Sequence, residues 1–140
     1  MMKSLWIALT LTTALLFTGC GDMIKGKEKA EEAIPGFHAL FDQEKYEEIH
    51  ATASSDFTAS TTPKKLAEFL GAVHRKLGKV RSTKQQNWKI NNWNGRTFVV
   101  MVQETTFEKG IGTETFTYLM DEGKAVLQGY DIRSNDLIVN

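Results

Sequence analysis

Three histidines, His38, His50 and His74, and three aspartates, Asp42, Asp56 and Asp131, are the side chains of this sequence best suited to give or take a proton in a reaction. No spacing pins any of them to a partner, so a satisfied interior or solvent-facing role is the first expectation for each. His74, beside Val73 at the margin of an apolar stripe, is included. There is no Gly-x-Ser-x-Gly turn, no glycine-rich phosphate loop and no group of residues with metal-ligand spacing. Neither a metal nor any other cofactor is therefore expected. The remaining reactive group is a thiol, Cys20, the sole cysteine in 140 residues. An intramolecular disulfide is impossible, and an exported domain of this kind must rely on its core.

Cys20 closes a segment with the order of an export signal. Met1-Met2-Lys3 is a short positive start, Leu5 to Phe17 is almost wholly apolar, and small residues, Thr18 and Gly19, precede the cysteine. The uncharged stretch falls short of the roughly 20 residues that cross a bilayer as a helix. Leu16-Phe17-Thr18-Gly19-Cys20 resembles the bacterial lipobox, with Phe17 in the place where leucine is usual. That resemblance implies cleavage before Cys20 and its acylation, palmitate included, which makes the membrane the first expected partner. Several acyl chains anchor stably where one binds only marginally. Gly21, rather than an aspartate, follows the cysteine, which implies a periplasm-facing protein at the outer membrane rather than the inner.

Length and charge narrow the rest. About 120 residues remain after cleavage, enough for one sizeable core. Basic and acidic residues number 17 each, and loss of Lys3 with the leader leaves a near-neutral chain with no single-signed field to hold nucleic acid. A hydrophobic content of 41%, with three Trp, three Tyr and eight Phe, is that of a folding chain. The expected division is a signal peptide over 1–19, a lipid-anchored tether over 20–34 running into the first helix, and one domain over 35–140.

The polar, charged stretch from Asp22 to Glu32 reads as that tether. Phe37, Leu40, Phe41, Tyr46 and Ile49 recur at helical spacing, as two short helices or one bent near Asp42-Gln43. Ser54 to Thr62 reads as a loop with Phe57 tucked inward. Thr62 is a good N-cap, Pro63 suits the first helical position and Gly78 is a stop. Between them Leu66, Phe69, Leu70, Val73 and Leu77 form one apolar stripe, the pattern of a helix lying on a sheet.

After Gly78 the period changes to 2 and four antiparallel strands are expected, over Gln86 to Trp93, Arg96 to Phe107, Thr113 to Met120 and Lys124 to Ile132. Asn94-Gly95 is a two-residue hairpin signal, which puts Trp93 opposite Arg96, Asn91 opposite Phe98, Ile90 opposite Val99 and Trp88 opposite Met101. Further turns are expected at Lys109 to Gly112 and at Asp121 to Gly123. Trp88 and Trp93 then point to opposite faces, Trp88 packing and Trp93 near the hairpin tip. Phe98 to Val102 is apolar on both faces, so each side of the sheet needs a cover. The tail from Ser134 is expected to pair as an edge or to frame a pocket.

Helices first and a curved four-stranded antiparallel sheet after them is the order of the cystatin-like or nuclear-transport-factor-2-like (NTF2-like) superfamily. Phe37 to Ile49, the step Leu77-Gly78-Lys79-Val80 and the ending Leu127-Gln128-Gly129-Tyr130-Asp131-Ile132 resemble small bacterial envelope lipoproteins of unknown function with such a domain. The fold expected is therefore α+β, with the helices packed on the sheet. The resemblance implies a cone-shaped pocket, which enzymes of the superfamily such as steroid isomerases and dehydratases use with an acid or base inside it.

With no such group marked out by the residues, the first functional expectation is a non-catalytic, membrane-anchored domain that binds an envelope protein or itself. The doubly apolar central strand and Trp93 motivate it. Dimerisation would run through the sheet, with Trp93, Arg96 and Val100 as interface candidates. The second is a small-ligand carrier or enzyme using the cone, lined by Phe37, Phe41, Phe69 and Tyr118. A third is an immunity or inhibitor protein against an envelope-directed toxin.

Overall fold

The computed structural model describes residues 20–139, so the signal-peptide reading lies outside the described residues. Four helices precede the sheet: α1 (Cys20–Asp42), α2 (Tyr46–Ala51), α3 (Ser55–Ser60) and α4 (Pro63–Leu77). Four strands follow, β1 (Val80–Trp93), β2 (Arg96–Phe107), β3 (Gly110–Asp121) and β4 (Lys124–Arg133), then a short α5 (Asp136–Val139). The strands pair antiparallel in the order β1-β2-β3-β4. This is the α+β arrangement expected, helices on a curved sheet, and irregularities at Gln85/Asn87 in β1 and at Thr117/Tyr118 between β3 and β4 bend it.

The expected tether is instead helix. Ala30, Ile34, Phe37 and Phe41, spaced four, three and four apart, give α1 a buried face from near its middle onward. Lys27–Glu31 and Lys29–Glu32 pair on its flank, so its charges support a helix rather than a linker. Gly26 already lies against the sheet, where a Cβ would be in ordinary contact with Val99 Cγ2 at 3.5 Å. The chain breaks after Asp42, with Glu44 in the left-handed region at a φ of 58° and α2 following.

The expected loop from Ser54 to Thr62 contains α3, because the Ser54 hydroxyl accepts from the Phe57 amide at 3.2 Å and caps a helical turn. Phe57 is buried as expected. In α4, Thr62 caps the Lys65 amide, Pro63 opens the helix, and Gly78 at φ 78° ends it. Leu66, Leu70, Val73 and Leu77 are buried, but Phe69 is 45% exposed. At about 100° per residue Phe69 points about 70° away from the centre of the stripe formed by the other four, at the border with solvent.

The hairpin register is as expected: Trp93↔Arg96, Asn91↔Phe98, Ile90↔Val99 and Trp88↔Met101. Asn94 and Gly95 both take positive φ, which a two-residue turn of the favoured hand requires. β1 starts earlier than expected, at Val80, where the backbone amide donates to the Asp42 carboxylate at 2.9 Å. The second turn is tighter than expected: Phe107 pairs with Gly110, leaving Glu108-Lys109 as the tip. That tip docks on the end of α4, with the Lys109 amide donating to the Leu77 carbonyl at 2.8 Å. The tail folds as α5, and Asp136 accepts from the Ile111 amide.

Candidate functional site

Alternation along β2 and β3 sends Val99, Met101, Gln103, Thr105 and Phe107, with Glu114, Phe116 and Tyr118, to the face covered by the helices. Most of this face is apolar, and α1 lays Phe37 and Phe41 into it. Glu114 stands among them, 1% exposed. Its carboxylate accepts from three groups held by three other elements. His38 Nε2 of α1 lies 2.7 Å from Oε1, the Tyr130 hydroxyl of β4 donates to Oε2 at 2.6 Å, and the Thr105 hydroxyl of β2 donates to Oε1. Thr83 extends the network across β1, its hydroxyl 3.2 Å from that of Thr105 and 3.3 Å from Gln103 Oε1.

Aromatic rings wall in this cluster. Phe116 lies 5.0 Å from Phe37, 5.7 Å from His38, 5.1 Å from Tyr130 and 6.0 Å from Tyr118, centroid to centroid. A carboxylate here is costly to bury unless its lone pairs are satisfied, and three donors supply that. The arrangement pairs an acid with a base, as general acid–base chemistry needs, but His38, Glu114 and Thr105 are all buried. An apolar cleft of about 440 Å³ opens elsewhere, between α1, α2 and the β3–β4 side, lined by Ala33, Phe37, Leu40, Ile49, Tyr118 and Leu127. Its lining carries no charge.

All three tyrosines are held above their ordinary range, first by burial; the next cause is the Glu44 charge for Tyr46 and the Glu114 charge for Tyr118 and Tyr130, and for Tyr130 the hydrogen bond to Glu114 adds to this. A folded state that keeps protons released by the unfolded chain has its full stability below the unfolded value and loses it as pH rises. Stability should therefore hold up to about pH 10 and then fall by about 1.4 kcal/mol per pH unit for each tyrosine. Urea midpoints at about pH 9 and about pH 11 test this; equal midpoints would count against buried phenols.

The other candidates separate. His50 Nε2 meets the Thr61 carbonyl oxygen at 2.6 Å, and His74 Nδ1 lies 3.9 Å from the Glu44 carboxylate. Asp42 joins α1 to β1, Asp56 accepts from Arg96, and Asp131 lies 3.4 Å from Arg133 at the surface. Of the expected pocket residues, Phe37 and Tyr118 line this cleft, Phe41 is core, and Phe69 stands outside, its ring 6.3 Å from that of Tyr130. The Tyr118 hydroxyl is buried with no hydrogen-bond partner among the described residues. Sequence reasoning missed Glu114, although its even-numbered place with Phe116 and Tyr118 put it on the inward face of β3. Among the described residues, no group of His, Cys, Asp or Glu is placed to hold a metal ion.

The opposite face of the sheet carries Phe98, Val100, Val102, Leu119 and Val126, all outside the main core cluster. Trp93 is 66% exposed at its hairpin end. Arg96 spans the face, lying 5.5 Å over the Phe98 ring and donating to Asp56 of α3 at 2.7 Å. Trp88, on the inner side opposite Met101, is packed less fully than expected, at the sheet edge with the Lys27 ammonium 5.4 Å from its ring centre.

No protein-family model matches the sequence, and no curated protein matches it. A similar solved structure is that of a Novosphingobium aromaticivorans DSM 12444 protein provisionally assigned as a scytalone dehydratase. The two share 13% identity over 81% of this chain and 86% of that one, with a TM-score of 0.49. Among the described residues, no helix is long and apolar enough to cross a membrane.

Proposed function

We propose that this chain is a lipid-anchored protein of the bacterial envelope, held through acylated Cys20, whose NTF2-like domain works by self-association rather than catalysis. The outer face of the sheet carries this reading: half-buried Phe98, Val100, Val102 and Val126 and exposed Trp93 stand there around the buried Leu119, outside the core that the helices cover. Four strands about 4.8 Å apart and about ten residues long cover about 600 Å² before corrugation, close to the roughly 800 Å² per partner of a stable interface. Two sheets packed through such faces align their strands. A two-fold axis along the strands brings both copies of α1 to the same end, so both anchors reach one membrane. The interior His38–Glu114 pair supports a structural role, since three donors meet the carboxylate and the apolar cleft is not lined by either residue.

Sedimentation of residues 21–140 tests the reading. The expected result is a dimer with a dissociation constant of about 1 μM or tighter, and a monomer for Val100→Asp, whose circular dichroism matches the parent. A parent chain that stays monomeric well above that concentration overturns it.

A further inference from the structure

α1 starts at Cys20, and by Gly26 it already lies against Val99 and Met120 of the sheet. Six residues of helix span about 9 Å. On the reading that Cys20 is acylated, the domain is joined to its anchor by less than two turns of rigid helix, not by a flexible leash. This end of the molecule must then lie at the bilayer surface.

The side chains there suit that position. Met23 is 50% exposed and Ile24 56%, on the turn directly after Cys20. A groove of about 580 Å³ opens beside them, between the start of α1 and the hairpin ends, with Met23, Ile90 and Met120 among its lining. Along Asp22 to Glu32 of α1 three lysines, Lys25, Lys27 and Lys29, stand against four acids, Asp22, Glu28, Glu31 and Glu32, so the stretch carries no net positive charge. Attraction to anionic headgroups is therefore not the driving force, and burial of apolar surface is.

We propose that the first turns of α1, through Met23 and Ile24, form a bilayer-contacting surface that seats the domain directly on the membrane carrying its anchor. The proposal rests on acylation of Cys20. Its test uses the mature protein purified from membranes and reconstituted in phosphatidylcholine vesicles with brominated acyl chains. Ile24→Trp is introduced with Trp88→Phe and Trp93→Phe, so that the mature chain holds one fluorophore. Because interfacial side chains sit about 5–10 Å deep, emission should fall about twofold or more against unbrominated vesicles. The fall should be the same when anionic lipid is added. Met23→Trp in the same background should behave alike, which guards against a local effect of one substitution. Intact mass reads the anchor separately. Acyl groups on Cys20 with unquenched emission from both variants overturn the contact surface and leave the anchor standing. A mature chain without acyl groups overturns the anchor, and the proposal with it.

Discussion

Replacing Glu114 by alanine is expected to lower the free energy of unfolding by about 3–5 kcal/mol, since three interior donors share its carboxyl group as acceptor. The loss has two sources. His38, Thr105 and Tyr130 each lose the acceptor they meet in the interior, and an unmet buried donor costs about 1–3 kcal/mol. A void also opens in a layer otherwise closed by Phe37 and Phe116. Glu114→Gln keeps the shape and one acceptor oxygen, so it should cost less than the alanine variant. Urea unfolding read by tyrosine and tryptophan fluorescence measures both. A loss below about 1 kcal/mol for Glu114→Ala, the value of an ordinary exposed pair, would mean that the three donors find other partners and that the cluster does not tie α1 to the sheet.

Phe116→Ala is expected to cost about as much, roughly 3–5 kcal/mol. Its ring is fully buried and packs against four others, drawn from α1, β3 and β4. α1 cannot close the gap without moving His38, which it also commits to Glu114. Against a domain stability of about 5–15 kcal/mol, each variant should still fold while unfolding at clearly lower urea. The two changes share His38 and Tyr130, so the double variant should depart from additivity by about 0.5–3 kcal/mol. Strict additivity would separate the aromatic wall from the polar cluster and remove the argument that they form one unit.

Much of the architecture was legible because local chemistry sets it. Thr62, Pro63 and Gly78 each act within one turn of α4, and that helix runs from Pro63 to Leu77 as expected. Asn94-Gly95 forces a tight turn, and once the turn is set, strand pairing follows residue by residue, as the matches from Trp93 to Trp88 show. The change of period after Gly78 announced the sheet, and the double apolarity of Phe98 to Val102 announced apolar side chains on both of its faces.

What local chemistry left open depended on distant partners. The Asp22 to Glu32 segment is polar by composition, and the arrival of Ala30 and Ile34 on the sheet adds to its Lys27–Glu31 and Lys29–Glu32 pairs to make helix its better state. Phe69 belongs to the stripe by spacing, yet the orientation of α4 on the sheet leaves it at the water's edge. His38 looked unpartnered because its carboxylate stands 76 residues away on β3. Strand alternation determines that Glu114 points inward, but only the placement of α1 across the sheet brings His38 to it. Hydrogen bonds within a turn are written in neighbouring residues, whereas a bond between helix and strand exists only after apolar burial has set the two elements against each other.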